Sequence, residues 1–349
     1  MQYTKLGNTG TLVSKLCFGT MTFGGSGTLY AAMGALDQTA ADALIGQCLE
    51  AGVNFFDTAD VYAAGESETM LGKALGAKRK DVIIATKVFG RMGSGANDVG
   101  LSRTHILSAI DQSLRRLGTD YVDLYQIHAF DPLTPLEEIL SALTQAVRQG
   151  KVRYIGCSNL AAWNIMKSLG ISERAGLEKF VTLQAYYSLA GRELERELAP
   201  MMLDQKMGLL VWSPLAGGFL SGKFTRAGVS EEDSRRAKFG FPPVNLEKTY
   251  DIIETMQGIS ARTGAAVAQI ALAWLLHQPV VTSAIIGAKK PSQLKDNLAS
   301  VDVKLEAADL DALNKASALT PEYPGWMFEV QSSDRWPGQT RDWSKYSPK

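Results

Sequence analysis

The stretch Asn54-Phe55-Phe56-Asp57-Thr58-Ala59-Asp60-Val61-Tyr62 decides how the chain is read. The run from Val53 to Phe56 reads as a buried strand, because positions covered on both faces take apolar side chains on consecutive residues. Polar chemistry then begins abruptly at Asp57. A carboxylate at the carboxyl end of a buried strand, with a phenol one loop later at Tyr62, is the arrangement of a parallel α/β protein where its active site opens. The alternative reading makes Asp57 a helix cap and Tyr62 a loop-packing residue.

The same strand-to-helix alternation extends in both directions. Residues 2–14 hold two short apolar segments around Gly7-Asn8-Thr9-Gly10, a hairpin signal, and such a hairpin is expected to plug one end of the body built by the later strands. Strand 15–18 ends in Gly19-Thr20, and a glycine-rich loop over 24–37 leads to a helix through Ala43, Leu44 and Cys48 that stops at Gly52. Strand 53–57 precedes a helix over 67–75, strand 82–88 one over 102–117, strand 121–127 one over 135–147, and strand 152–156 one from about 160. Strand 181–185 precedes a helix over 192–204, strand 208–213 a connection over 214–250 and a helix over 260–276, and strand 283–286 a helix over 291–299.

Those eight strand–helix units are the number that closes a (β/α)8 TIM barrel, so the expected class is α/β. A doubly wound open sheet is the rival, but no Gly-x-Gly-x-x-Gly turn follows the first strand. The expected division is a single barrel domain over 1–316 and a tail over 317–349 packed on it. Trp326, Trp336 and Trp343 of the tail stand among Pro, Gly and Ser without periodicity, which predicts irregular chain that borders the pocket or only packs.

Composition narrows the function. Hydrophobic residues at 46% and charged ones at 21% describe an ordinary globular chain. Lys plus Arg and Asp plus Glu both total 36, so there is no electrostatic footprint for nucleic acid or an anionic membrane, and an anionic ligand must meet local basic residues. No apolar run approaches the ~20 residues of a membrane helix, and a cytoplasmic protein is expected. Cys17, Cys48 and Cys157 are odd in number and lie in apolar contexts, so neither a disulfide nor a metal site is expected.

In a barrel, catalytic side chains come from the carboxyl ends of several strands. The polar groups there are Asp57 and Tyr62, Lys87, His128, Ser158 and Asn159, and Gln184. Lys87 interrupts Val82-Ile83-Ile84-Ala85-Thr86 and Val88-Phe89. An ammonium in so apolar a strand needs a carboxylate partner, which Asp57 provides one strand over; the alternative is a lysine that snorkels to solvent. His128 alone reads as a satisfied core histidine, and only the combination with the other strand-end groups turns the reading toward a site.

Together these residues resemble the aldo-keto reductase family. The likeness rests on Gly19-Thr20-Met21, Phe56-Asp57-Thr58-Ala59-Asp60-Val61-Tyr62, Ala85-Thr86-Lys87-Val88 and Asp123-Leu124-Tyr125-Gln126-Ile127-His128. It continues through Gly156-Cys157-Ser158-Asn159, Gln184-Ala185-Tyr186-Tyr187-Ser188-Leu189, Trp212-Ser213-Pro214-Leu215-Ala216-Gly217-Gly218 and Gly287-Ala288-Lys289, spanning about 2–316. The resemblance implies a catalytic tetrad of Asp57, Tyr62, Lys87 and His128 with NADPH/NADP+ extended across the barrel mouth. Within the family the chain is most similar to longer bacterial members related to potassium-channel β subunits, which carry Asn where this chain has His128.

The resemblance also assigns cofactor contacts. Gly19, Thr20, Met21 and Asp57 are among them, Ser158, Asn159 and Gln184 suit the nicotinamide carboxamide, and Trp212 offers a flat face for the ring, though a strand-end tryptophan also serves as core. Ser213, Pro214, Leu215, Gly217 and Lys223 resemble the pyrophosphate loop, and Ser234-Arg235 a further phosphate contact. Gly287, Lys289, Lys290, Gln293, Asp296 and Asn297 stand at the start of the last barrel helix, where free N–H groups and lysines suit an anion. The two lysines favour the 2′-phosphate of NADPH, although residue 293 is Gln where the family often has Arg.

The chemistry is consistent with that assignment. Hydride addition to a carbonyl builds charge on its oxygen, and a phenol of pKa ~10 can protonate it near neutral pH only if a cation stabilises the phenolate. Lys87 supplies that charge, Asp57 holds Lys87, and His128 aims the substrate oxygen at Tyr62. The implied partner is a small-molecule carbonyl compound; homo-oligomerisation stays open. Two rivals remain: a non-catalytic NADP-binding redox sensor like the channel subunits, and an aldolase-type barrel with a Schiff base on Lys87.

Overall fold

The computed structural model describes residues 1–25, 35–226, 228–229 and 240–332. Two short strands, β1 (Tyr3–Lys5) and β2 (Leu12–Ser14), form an antiparallel hairpin. Barrel strands follow: β3 (Leu16–Gly19), β4 (Phe55–Asp57), β5 (Ile83–Val88), β6 (Val122–Ile127), β7 (Val152–Ser158), β8 (Phe180–Tyr186) and β9 (Gly208–Trp212). A small antiparallel pair, β10 (Phe224–Thr225) and β11 (Gly228–Val229), precedes the last barrel strand, β12 (Val281–Ile286). All eight barrel pairings are parallel, and β12 closes the ring by pairing with both β9 and β3. The expected TIM barrel is the observed fold.

Around it lie α1 (Gln38–Glu50), α2 (Glu66–Leu75), α3 (Arg103–Leu117), α4 (Leu136–Arg148), α5 (Ala162–Ala175) and α6 (Leu198–Gln205). They are followed by α7 (Leu246–Thr263), α8 (Val267–Leu276), α9 (Pro291–Leu298), α10 (Ala307–Ala316) and α11 (Gly325–Ser332). Helix α3 shows why these segments are helical. Ser102 caps its first turn through His105 N–H, Ile106, Ile110, Leu114 and Leu117 recur on one buried face, and Gly118 ends it at φ 63°.

The strand period of two separates two layers of core. Cys17, Phe55, Ala85, Leu124 and Leu210 point into the barrel and pack with Leu6 and Val13 of the hairpin. Gly7, at φ 57°, sits so tightly that a Cβ would lie 2.2 Å from the Val181 carbonyl oxygen. The hairpin therefore plugs the amino end of the barrel. The intervening residues Phe18, Phe56, Ile84 and Tyr125 face outward into the larger core against the helices, where burying each large side chain contributes about 1.5–3 kcal/mol.

The structure corrects four expectations. The helix expected over 260–276 is two helices, α7 and α8, bent by 100° where Gly264 adopts φ 75° and caps α7. The helix expected over 192–204 begins only at Leu198, after a 3-10 turn over Glu193–Glu195, because Pro200 is tolerated only in a first helical turn. Helix α10, for which no helix was expected, starts where the Asp309 carboxylate accepts from the Glu306 N–H at 3.0 Å. The tail carries helix α11 where irregular chain was expected, and an Arg196–Glu322 ion pair of 2.9 Å ties the preceding segment to the barrel. Trp336 and Trp343 lie outside the described residues. No single helix among the described residues is long and apolar enough to cross a membrane.

Candidate active site

The period of two that fills the barrel interior also builds its carboxyl-end mouth. Two residues beyond the inward Phe55, Ala85, Leu124 and Leu210 come Asp57, Lys87, Gln126 and Trp212, so each apolar layer residue is followed by a polar or aromatic one on the same face. His128 is two further along from Gln126. The register pairs Gly19 with Asp57 and Lys87 with Gln126, bringing these strand ends together.

Lys87 is fully buried and makes three donations: to Asp57 Oδ1 at 2.5 Å, to the Thr58 carbonyl at 2.8 Å and to the Tyr62 hydroxyl at 3.3 Å. Its ammonium also lies 4.9 Å from the centroid of the Tyr62 ring. Burial pulls the Lys87 pKa down, but the Asp57 carboxylate and the Tyr62 hydroxyl more than offset it, and the group is held above the ordinary lysine value. The other Asp57 oxygen accepts from Gln184 Nε2 at 2.8 Å and Gln126 Nε2 at 3.2 Å, so both carboxylate oxygens are satisfied in a dry site.

The His128 ring stands edge-on to Tyr62, with centroids 5.8 Å apart. Burial, and next the Lys87 charge, lower its pKa to about 3, so the imidazole is neutral at physiological pH. Its carbonyl accepts from Asn159 Nδ2 at 3.0 Å, and Asn159 Oδ1 accepts from Trp212 Nε1 at 3.0 Å. This chain of bonds ties the rim from β6 across to β9. Trp212 lies between Tyr186, at 5.1 Å, and a parallel Phe241 at 5.7 Å. Ser158 is buried and donates to the Gln184 carbonyl at 2.9 Å. Thr20 N–H donates to the Asp57 carbonyl at 2.9 Å, fixing the Gly19-Thr20-Met21 corner to β4.

Ser213, Pro214, Leu215 and Gly217 form the tight loop after β9, in which Ser213 Oγ accepts from Gly217 N–H at 2.9 Å and Lys223 follows. Gly217 is at φ 70°, and a Cβ there would lie 2.4 Å from the Phe241 carbonyl oxygen, so a second strand of chain crosses directly over this loop. At α9, Gln293 Oε1 accepts from Lys289 N–H at 2.9 Å and Asn297 Nδ2 donates to the Gly287 carbonyl at 3.3 Å. Lys290 is the exposed N-cap residue, and no side chain among the described residues caps the helix. An uncapped N-terminus beside Lys289 and Lys290 is a donor set that fits a phosphate. Arg235, with Ser234, lies outside the described residues.

The sequence model of the aldo/keto reductase family matches residues 15–318. This chain belongs to the aldo/keto reductase family. An uncharacterized oxidoreductase, YrpG, of Bacillus subtilis is 37% identical over 93% of this chain and 100% of its own length. A probable voltage-gated potassium channel subunit beta of Arabidopsis thaliana is also 37% identical, over 93% of this chain and 99% of its own. The versiconal hemiacetal acetate reductase of Aspergillus parasiticus is 36% identical with the same coverage of both chains.

Sequence reasoning misses two groups around the Asp57–Lys87 pair. Gln126 escapes it because an amide in mid-strand carries no signal of its own, yet its spacing between Leu124 and His128 places it on the inward face. The Thr58 carbonyl is a backbone acceptor and has no signature in the sequence.

Proposed function

We propose that this oxidoreductase is an NADPH-dependent carbonyl reductase that converts an aldehyde or ketone to an alcohol, with Tyr62 as general acid. The observation that carries this reading is the fully buried Lys87 amine donating at once to Asp57 and Tyr62. Such a cation favours the phenolate left after proton donation, which is what a phenol needs to act as an acid near neutral pH. Neutral His128 is suited to donate a hydrogen bond to the substrate oxygen without competing for the proton.

NADPH, when bound, supplies the hydride. Ser158, Asn159 and Gln184 would line its carboxamide, Trp212 its ring, the Ser213–Gly217 loop its pyrophosphate, and Lys289 and Lys290 at the α9 N-terminus its 2′-phosphate. The catalytic unit is 1–316, with the tail as a packed appendage. Buried, free Cys17, Cys48 and Cys157 suit a reducing cytoplasm. The Aspergillus relative, named a reductase, supports the reaction class. Loss of NADPH absorbance with a panel of aldehydes and ketones tests the proposal, and cofactor binding without turnover on any of them overturns it.

The relative named as a channel subunit gives the second reading, a non-catalytic NADP-binding subunit. His128 argues for catalysis, because the Asn expected in such subunits lacks the imidazole donor.

A further inference from the structure

One carboxylate beneath the candidate site has no role in it. Asp60 is completely buried, and neither of its oxygens has a hydrogen-bond partner among the described residues. It lies two residues before Tyr62, and its backbone N–H donates to the Lys87 carbonyl at 3.2 Å. The Lys87 amine donates to the Thr58 carbonyl and to the Tyr62 hydroxyl, so residues 58–62 are pinned to β5 on both sides of Asp60. The loop then turns through Ala63 and Ala64, both left-handed at φ 50° and 53°, a conformation that alanine holds only where its surroundings impose it.

Charge counting sets the state of Asp60. The titratable and charged groups facing it are Glu68 from α2, Arg116 from α3, Lys87 from β5 and Tyr125 from β6. The two cations are already paired. Lys87 holds Asp57 at 2.5 Å, and Arg116 holds Glu68 at 2.6 Å, whose other oxygen accepts from Thr86 at 2.5 Å. Three carboxylates thus share two cations, and the one without contacts is the one that must be neutral in a dry interior.

We propose that Asp60 is a positioning residue for Tyr62 and Lys87: as a neutral acid it lets the loop over 58–65 pack, and its ionisation releases that loop and ends reduction at alkaline pH. The proposal rests on the reductase reading for its effect on turnover. Burial, and next the nearby Glu68 charge, raise the Asp60 pKa to about 8, while the adjacent Val61 N–H dipole and the Arg116 and Lys87 cations pull the other way. An ionised Asp60 must draw in water or compete for Arg116. Either displaces the chain two residues from the Tyr62 hydroxyl.

Linkage gives the sign of the stability effect. An unfolded Asp ionises near pH ~3.9, so between about 4 and about 8 the native state binds the extra proton and wild-type stability falls as pH rises. Asp60→Asn should remove that slope. The stability gap between variant and wild type, read from urea midpoints, should widen from about pH 5 to about pH 8 and stay constant above. Wild-type kcat/KM should fall about tenfold per pH unit above about 8, and Asp60→Asn should move that limb up by at least one unit. An unchanged alkaline limb together with a pH-independent stability gap overturns the proposal. If no aldehyde or ketone of the panel is turned over, the reductase reading fails but the stability gap still decides for Asp60. Should Asp60→Asn not fold, the wild type alone serves: its infrared spectrum at pH 7 should hold a protonated carboxylic acid band that disappears on titration through about pH 8, and absence of that band overturns the proposal.

Discussion

Lys87 and Asp57 form an ion pair of 2.5 Å whose side chains are 0% and 3% exposed, and the same lysine nitrogen reaches the Tyr62 hydroxyl at 3.3 Å. Neither charge has water to fall back on. Each is held by the other and by oriented dipoles, with the Thr58 carbonyl on the ammonium and two glutamine amides on the carboxylate. The amine is consequently held protonated well beyond neutral pH, which suits a fixed cation and opposes a nucleophile.

Lys87→Met should therefore abolish NADPH oxidation and, by stranding the Asp57 carboxylate, lower stability by about 3–5 kcal/mol in urea unfolding. Asp57→Asn should be milder on turnover, since it loosens the ammonium without deleting it. Borohydride added with a reactive ketone should leave no mass adduct on Lys87. A stable adduct would falsify the proton-donor arrangement and favour a Schiff base.

For Tyr62→Phe, the proposed acid is removed while the ring and its place beside Lys87 and His128 remain. Turnover should drop by about 10²–10⁴, with NADPH affinity nearly intact. Steady-state kinetics and fluorescence titration measure the two quantities separately. Retention of more than about a tenth of turnover removes Tyr62 from the role.

How much of the fold and site is legible in the sequence depends on what burial does to composition. Barrel strands covered on both faces leave unbroken apolar runs, and a charge at or inside such a run stands out, which is why Asp57 and Lys87 can be named from their strands, and His128 in their company. Gln126 cannot, because a neutral amide one turn of the pleat below His128 looks like any polar interruption. Asp60 is invisible for a different reason: a loop carboxylate is ordinarily solvated, and only the packed fold reveals that this one is dry. The α7–α8 break escapes the sequence because the helical apolar pattern runs up to Gly264 and resumes beyond it, and period alone does not report a 100° bend.

The α9 N-terminus gives a test of cofactor preference. Lys289→Ala combined with Lys290→Ala removes both ammonium groups but leaves the Gln293 bond to the residue 289 N–H and the Asn297 bond to Gly287 in place. Charge-assisted contacts to a phosphate at about 1.5–3 kcal/mol each predict at least a tenfold loss of NADPH affinity. NADH affinity should change little. Equal losses for both cofactors in fluorescence titrations would mean that these lysines do not read the 2′-phosphate.

His128 offers the sharpest pH test. Burial and the Lys87 charge hold its native pKa at about 3, against ~6.5 for an unfolded histidine. Between those values the unfolded state binds a proton that the native state refuses, so stability should decline as pH falls from about 6.5 toward about 3. His128→Gln should flatten that decline, because glutamine does not titrate. The imidazole remains neutral over the whole physiological range, so wild-type turnover should show no acid limb attributable to it above about pH 5. Nitrogen-15 chemical shifts of the labelled ring, tracked from pH 8 to pH 4, measure the point directly. An imidazole that titrates between pH 6 and 7 would mean that it is charged when substrate binds, and a cationic donor beside Lys87 would then replace the neutral one.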